Sequence, residues 1–220
     1  LIYLAERTKT VRKIPYAARQ IITGILFGGL AIIGTEFGIK TDGAIINARD
    51  ASPLCAGLLF GAPAGIIAGV IGGVERWLAA YWGAGEYTRL ACSVSTVLAG
   101  VFAAALRKYM FDNKKPKWYY CLATAAITEV IHMLMIFLTN MTDAKTAFSF
   151  VRACSLPMIA VNSLAVMLAG LLLTVLSGAE RKNVRHELKN ISQSFQRFLL
   201  ICVMAGFLMT TVFTWALQTE

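Results

Sequence analysis

Polar side chains that could bind a small anion occur in and beside the apolar segments of this 220-residue chain. Arg49 and Arg76 carry guanidinium groups, which hold carboxylates through paired hydrogen bonds. Glu129 and His132 are three residues apart, so on a helix they share one face and could form a proton-sensitive pair. The polar residues that could orient a ligand beside them are Asn47, Cys92, Ser95 and Asn162.

Each of these residues also has a purely structural interpretation. Arg49 could pair only with Asp50, and Arg76 could pair only with Glu75 or extend to lipid headgroups. Serine in a membrane helix often bonds its own backbone. The predicted spans place the whole set at a similar depth, in the outer half of a helical bundle, which favours a shared site over independent structural roles.

Other chemistry is not indicated. Glu129 and His132 have the spacing of one half of a di-metal carboxylate site, but the second half is missing, so we predict neither a metal nor another cofactor. His186 and Glu187 begin like a zinc-protease helix without its second histidine. Phosphate-binding loops, nucleophile elbows and kinase motifs are absent from the sequence, so we predict no catalytic residues in this chain.

The composition predicts a membrane protein. Hydrophobic residues make up 57% of the chain and charged residues 15%, with a mean hydropathy of +0.64, whereas a soluble domain carries about 25% charged residues. Long apolar stretches approach the ~20 residues that cross a bilayer. They lie at 21–39, 53–74, 90–106, 118–138, 154–176 and 198–217.

The net charge of +9 reflects orientation in the membrane. Most of the basic residues fall in three clusters, near 7–19, 107–117 and 181–197, and the positive-inside rule places all three in the cytoplasm. The predicted partner of the basic surface is therefore the lipid bilayer, and not a nucleic acid. We expect a multi-pass membrane protein.

The number of membrane crossings requires a break inside the second apolar stretch. An even number of crossings must separate the first two basic clusters, and simple counting gives three. Pro63 follows Gly61 and Ala62, and a proline interrupts helical hydrogen bonding. We predict a short helix at 53–61 and another at 63–82; the alternative is one kinked helix followed by a re-entrant piece at 75–88.

The predicted fold is an all-α integral membrane bundle of six to seven helices. Residues 1–18 are expected to be the remnant of a preceding helix and a basic loop. Residues 19–177 form the bundle, 178–195 a cytoplasmic connector, and 196–217 a further helix leading to an output region. The predicted spans in the bundle are 19–39, 53–61, 63–82, 89–107, 118–139 and 153–177.

Several motifs together resemble the LytS-type (LytS–YhcK) sensor domains of bacterial signalling proteins. They are Asn47-Ala-Arg49, Gly61-x-Pro63-x-Gly65, Gly72-Gly73-x-x-Arg76, Glu129-x-x-His132-Met133 and Pro157-x4-Asn162-Ser163. The resemblance implies a sensor whose output domain is a kinase, a cyclase or a phosphatase. It also implies a pyruvate-like carboxylate ligand, bound by Arg49, Arg76, Cys92 and Ser95.

The fold is similar, by the same resemblance, to substrate-binding subunits of energy-coupling-factor transporters. Our main hypothesis is an input domain that binds a small extracytoplasmic carboxylate, in a full-length protein that forms a homodimer. A transporter subunit is the alternative, and it predicts substrate uptake into vesicles. A membrane anchor without a ligand is the third interpretation.

Overall fold

A computed structural model describes residues 14–41, 44–82 and 85–177. The predicted connector at 178–195, the predicted helix at 196–217 and the remnant before residue 14 lie outside these residues. So do His186 and Glu187, and most of the first and third basic clusters.

Six helices form the described part of the chain. They are α1 (Tyr16–Glu36), α2 (Ala51–Cys55), α3 (Ala62–Ala79), α4 (Arg89–Tyr109), α5 (Trp118–Thr139) and α6 (Ala144–Ser177). A π-helical turn, Ala56–Phe60, continues α2, and single 3-10 turns occur at Ala80–Trp82, Glu86–Thr88 and Met141–Asp143.

The predicted all-α membrane bundle is confirmed. In the described residues, four segments are long and apolar enough to cross a bilayer, Tyr16–Glu36, Glu86–Tyr109, Trp118–Thr139 and Met141–Leu176, and Ala51–Phe60 is a shorter apolar helix. The one departure is a small antiparallel hairpin of β1 (Ile39–Thr41) and β2 (Ala44–Ile46), in which Ile39 pairs with Ile46. Its three-residue strands are too short to give a strand pattern in the sequence.

The predicted break between α2 and α3 is confirmed at Gly61. Its amide nitrogen bonds Ala56 O at 2.9 Å and closes the π-helical turn, and Pro63 stands in the first turn of α3, where a missing N–H does no harm. Gln20 of α1 holds both sides of the break. Its Nε2 donates to Phe60 O at 3.4 Å, and its Oε1 accepts from Ala64 N at 3.3 Å.

Glycines bring α3 into backbone contact with α4 and with the π-helical turn that follows α2. A Cβ added at Gly65 would lie 2.5 Å from Gly57 Cα, and one at Gly69 would lie 3.0 Å from Thr96 O. A Cβ at Gly100 would collide with Gly65 O. Since carbon atoms do not approach so closely, only glycine allows this spacing, and α3 packs extensively against both α4 and α1.

Helix α6 begins earlier than predicted, at Ala144 rather than at 153. The sequence at 144–152 is not apolar enough to predict a span, but Asp143 Oδ1 accepts a hydrogen bond from Thr146 N at 3.2 Å and stabilises the first turn. The helix has 34 residues, so at 1.5 Å per residue it is about 51 Å long. The other predicted helix ends lie within a few residues of the observed ones.

Candidate functional site

A buried ion pair marks the start of α2. The side chains of Arg49 and Asp50 are almost fully enclosed, at 0% and 1% exposure. Arg49 Nε donates to Asp50 Oδ1 at 3.3 Å and to Thr96 Oγ1 at 2.7 Å. Thr96 Oγ1 in turn lies 2.6 Å from Asp50 Oδ1. These bonds fix the loop before α2 against α4.

His132 joins this network from α5. Its Nδ1 lies 2.8 Å from Asp50 Oδ2 and 3.6 Å from Glu129 Oε2, and all three side chains are buried. Its other ring nitrogen, Nε2, lies 3.3 Å from Cys92 Sγ of α4. The predicted pair of Glu129 and His132 does share one helix face, and that face points at the ion pair of α2.

Asn162 attaches α6 to the same loop. Its Oδ1 accepts from Ala51 N at 2.9 Å, and its Nδ2 donates to Asn47 O at 3.0 Å. The first amide groups of a helix have no partner within the helix, so the carboxamide satisfies one of them and orients α2. Asn162 is therefore a positioning residue.

Arg76 enters the site from the end of α3. The residue is 3% exposed, and its Nη2 donates to Gly85 O at 2.9 Å and to Thr88 Oγ1 at 3.3 Å. This nitrogen therefore bonds Gly85 and Thr88, and not Glu75, which was the alternative structural partner of Arg76. Arg76 reaches across to the segment that leads into α4.

A small cavity lies between these groups. Its volume is about 10 Å³, which is close to the minimum that holds a single water molecule. It is lined by Thr35, Asn47, Arg76, Gly85, Thr88, Cys92, His132, Ile136, Phe150 and Met158. Among the described residues that line it, Arg76 is the one permanently charged side chain, and none is a carboxylate.

The predicted site residues fall into three groups. Asn47, Arg76, Cys92 and His132 line the cavity, whereas Arg49, Glu129 and Asn162 contact those residues from behind. Ser95 is 3% exposed, and its Oγ has no hydrogen-bond partner among the described residues; it does not belong to the lining. The structure thus brings together seven of the eight predicted residues.

Three polar residues of the site were not predicted. Asp50 was considered only as a partner for Arg49, and neither Thr96 nor Thr88 was predicted to belong to the site. A carboxylate next to an arginine and a threonine within a helix are common in structural roles, so neither gives a distinctive signal. Their role depends on the meeting of α2, α4 and α5, which sequence spacing does not show.

The lining has the composition of an anion site. Arg76, Asn47 and Thr88 contribute groups that can donate hydrogen bonds, while the carboxylates of Asp50 and Glu129 contact Arg49 and His132 outside the lining. In a water-poor environment, a charge-assisted bond to a guanidinium is stronger than the same bond in water. The thiol of Cys92 and the ring of His132 add two polar groups to the same wall.

Comparison with known proteins gives a consistent result. The family model described as "5TMR of 5TMR-LYT" matches residues 2–176. The chain is 25% identical over 164 residues to the sensor histidine kinase YpdA of Escherichia coli K12. It is 27% identical over 147 residues to the sensor histidine kinase BtsS of the same organism. It is 31% identical over 147 residues to the sensor protein LytS of Bacillus cereus ATCC 14579.

The matches cover most of this chain but a small part of each relative. They include 74%, 66% and 64% of the chain, and 28%, 25% and 23% of the three relatives. The chain thus spans about a quarter of the length of the curated relatives it matches. No solved structure is significantly similar to it. The family match and the apolar helices together identify a multi-pass protein of the bacterial cytoplasmic membrane, and the chain belongs to the 5TMR-LYT family of membrane sensor domains.

Proposed function

We propose that this sensor domain binds a small carboxylate in the cavity beside Arg76, on the extracytoplasmic side of the membrane. The observation that carries the proposal is the composition of the lining, which among the described residues contains the guanidinium of Arg76 and no carboxylate side chain. Arg49 supports the same wall from behind through its contact of 3.5 Å with Cys92 O. Carboxylates are among the anions that a guanidinium binds through two parallel hydrogen bonds.

Binding has to open the cavity. A volume of about 10 Å³ holds one water molecule, so even the smallest carboxylates require α3, α4, α5 or α6 to move apart. A ligand shifts a conformational equilibrium only through unequal affinity for the two states. Because only an expanded cavity accepts the carboxylate, binding would select that state, and the displaced helices would carry the change to the rest of the protein.

The full-length protein would then be a sensor histidine kinase, as the names of YpdA and BtsS suggest, and we expect it to act as a homodimer. In this scheme the present chain is the input domain and performs no catalysis. The ligand binds to the bundle, and the phosphotransfer chemistry belongs to an output domain outside this sequence.

The experiment is a thermal-shift and calorimetric titration of the purified chain in detergent. The ligands are acetate, lactate, pyruvate and succinate, each paired with its uncharged amide. At least one acid should bind while its amide does not. Arg76→Gln should weaken binding about 10- to 100-fold, because a hydrogen bond to a charged group is worth roughly 1.5–3 kcal/mol.

Arg152→Gln is the matched control, since Arg152 is exposed on α6 and lies outside the cavity. This variant should bind like the wild type. Arg76→Lys keeps the charge but loses the paired geometry. Its ligand affinity should lie between those of the wild type and of Arg76→Gln. Equal binding of acid and amide, or wild-type affinity in Arg76→Gln at unchanged melting temperature, would contradict the proposal.

A further inference from the structure

Three atoms that could ligate a metal ion lie close together next to the cavity. They are Asp50 Oδ2, Glu129 Oε2 and His132 Nδ1, which come from the loop before α2 and from α5. Nδ1 and Oδ2 form an ion pair at 2.8 Å, whereas neither oxygen of Glu129 has a hydrogen-bond partner in the described part of the chain. Suitable atoms of the three residues all lie within 4.8 Å of one another.

Burial makes this arrangement costly as it stands. Glu129 and His132 are both 0% exposed, and neither carboxylate oxygen of Glu129 has a hydrogen-bond donor. A buried polar group without a partner costs free energy, and a buried charge costs more. The guanidinium of Arg49 contacts the other oxygen of Asp50, so the imidazole of His132, at 2.8 Å from Asp50 Oδ2 and 3.6 Å from Glu129 Oε2, is shared by the two carboxylates.

The second oxygen of Asp50 and the second ring nitrogen of His132 are held by neighbouring groups, whereas Glu129 Oε1 has no hydrogen-bond partner among the described residues. Asp50 Oδ1 receives Arg49 Nε at 3.3 Å and Thr96 Oγ1 at 2.6 Å. His132 Nε2 contacts Cys92 Sγ at 3.3 Å. Metal-ligating histidines and carboxylates have this organisation, in which the second ring nitrogen and the second oxygen are fixed by neighbouring groups.

We infer that Asp50, Glu129 and His132 form a binding site for a divalent transition-metal ion such as Zn²⁺. One imidazole and two carboxylates are suitable zinc ligands, and three protein ligands leave a fourth position open. A tetrahedral zinc ion with bonds near 2.0–2.1 Å needs donors about 3.4 Å apart. The separations of 2.8 and 3.6 Å around His132 Nδ1 bracket this value, and ligand atoms of all three residues lie within 4.8 Å of one another. Binding would therefore require the side chains to rotate toward a common ion.

The site departs from the expectation of no metal that the sequence supported. That expectation rested on the missing second Glu-x-x-His pair, whereas the structure supplies the third ligand, Asp50, from a different segment. The inference does not depend on the proposed carboxylate ligand, because the metal contacts a different set of atoms and the test below contains no organic acid.

The test is a zinc titration of the whole chain, purified in detergent with a tag that contains no histidine and stripped with a chelator. We expect one high-affinity Zn²⁺ per chain, measured by competition with a chromogenic chelator. Glu129→Gln should weaken zinc binding at least about 100-fold, and Thr96→Val about 10-fold, since outer partners of metal ligands typically contribute 10–100-fold. Glu75 is a buried carboxylate of α3 outside the cluster, so Glu75→Gln should leave the zinc affinity unchanged.

X-ray absorption of the zinc-loaded wild type provides a second readout that needs no variant. The expected first shell contains one imidazole and oxygen ligands, without sulfur, because Cys92 contacts the opposite ring nitrogen. A sulfur or two-imidazole shell would overturn the inference. The absence of stoichiometric binding, or zinc affinity unchanged in a folded Glu129→Gln, would overturn it as well.

Discussion

The interiors of the two ends of the bundle differ in the residues that fill them. Where α3 begins and α4 ends, the core is small and apolar, with Ala64, Ala68, Ala99 and Ala103 fully buried and glycines at backbone contact distance. Where α3 ends and α4 begins, the interior instead contains charged and polar groups, including Arg49, Asp50, Glu129 and His132. We call these regions the packed end and the polar end.

The comparison indicates that the packed end stabilises the bundle, whereas the polar end contains the candidate binding groups. At the packed end, close contact maximises dispersion and leaves no space for a ligand. At the polar end, several buried atoms lack hydrogen bonds, which costs stability and persists when the groups serve binding. The buried Arg107 of the packed end donates from Nη1 to Leu58 O at 2.7 Å, although Arg19 Nε and the hydroxyl of Tyr119 at this end also lack hydrogen bonds among the described residues.

The largest effect on this comparison should come from Asp50→Asn. It leaves the buried guanidinium of Arg49 without its carboxylate, and breaking a buried ion pair from one side costs about 3–5 kcal/mol. The measurement is unfolding of the metal-free chain in mixed micelles. Asp143→Asn is the control, because Asp143 is exposed and asparagine caps a helix as well as aspartate does. Equal stability of the two variants would show that the ion pair does not support the polar end.

A smaller loss is expected from Gly65→Ala at the packed end. The new methyl group would lie 2.5 Å from Gly57 Cα, and overpacking of this kind costs about 1–3 kcal/mol. Gly29→Ala adds the same methyl group to α1, where no atom lies within 4 Å. It should leave stability unchanged or raise it by up to about 1 kcal/mol. The same unfolding assay compares the two, and similar values would contradict the assigned close contact.

The smallest expected change in stability is a gain and not a loss. In the presence of a chelator, Glu129→Gln should stabilise the domain by about 1 kcal/mol, since it removes a buried carboxylate without a donor. Glu36→Gln, at an exposed carboxylate that accepts from Trp82 Nε1 at 3.0 Å, should stay within about 0.5 kcal/mol of the wild type. Destabilisation by Glu129→Gln in a chelator would mean that the carboxylate already has a stabilising partner.

Helix number and the break at Gly61 could be predicted because hydropathy, charge parity and proline chemistry act locally. The earlier start of α6 could not, since a turn capped by Asp143 is independent of hydropathy. The tight approach of α3 and α4 was also hidden. Many glycines occur in the sequence, and only the fold shows that Gly65 and Gly100 face each other.

The candidate site was predictable as a group of residues but not as a network. Arg49, Arg76, Glu129 and His132 are conspicuous because charged and titratable groups in apolar segments are costly. The role of Asp50 could not be predicted, because its contact with His132 joins segments far apart in the sequence. The size of the cavity was equally hidden, since it depends on side-chain packing among four helices.

The most direct test of the account is a pair of distance measurements by pulsed electron spin resonance. One spin-label pair, at Glu86 and Arg152, reports the polar end, and another, at Tyr109 and Leu172, reports the packed end; all four residues are exposed. With the best-binding carboxylate at saturation, the first distance distribution should shift and the second should not. The account would be contradicted if the distance at the polar end did not change, or if the distances at both ends shifted equally, because it requires the ligand to open the polar end alone.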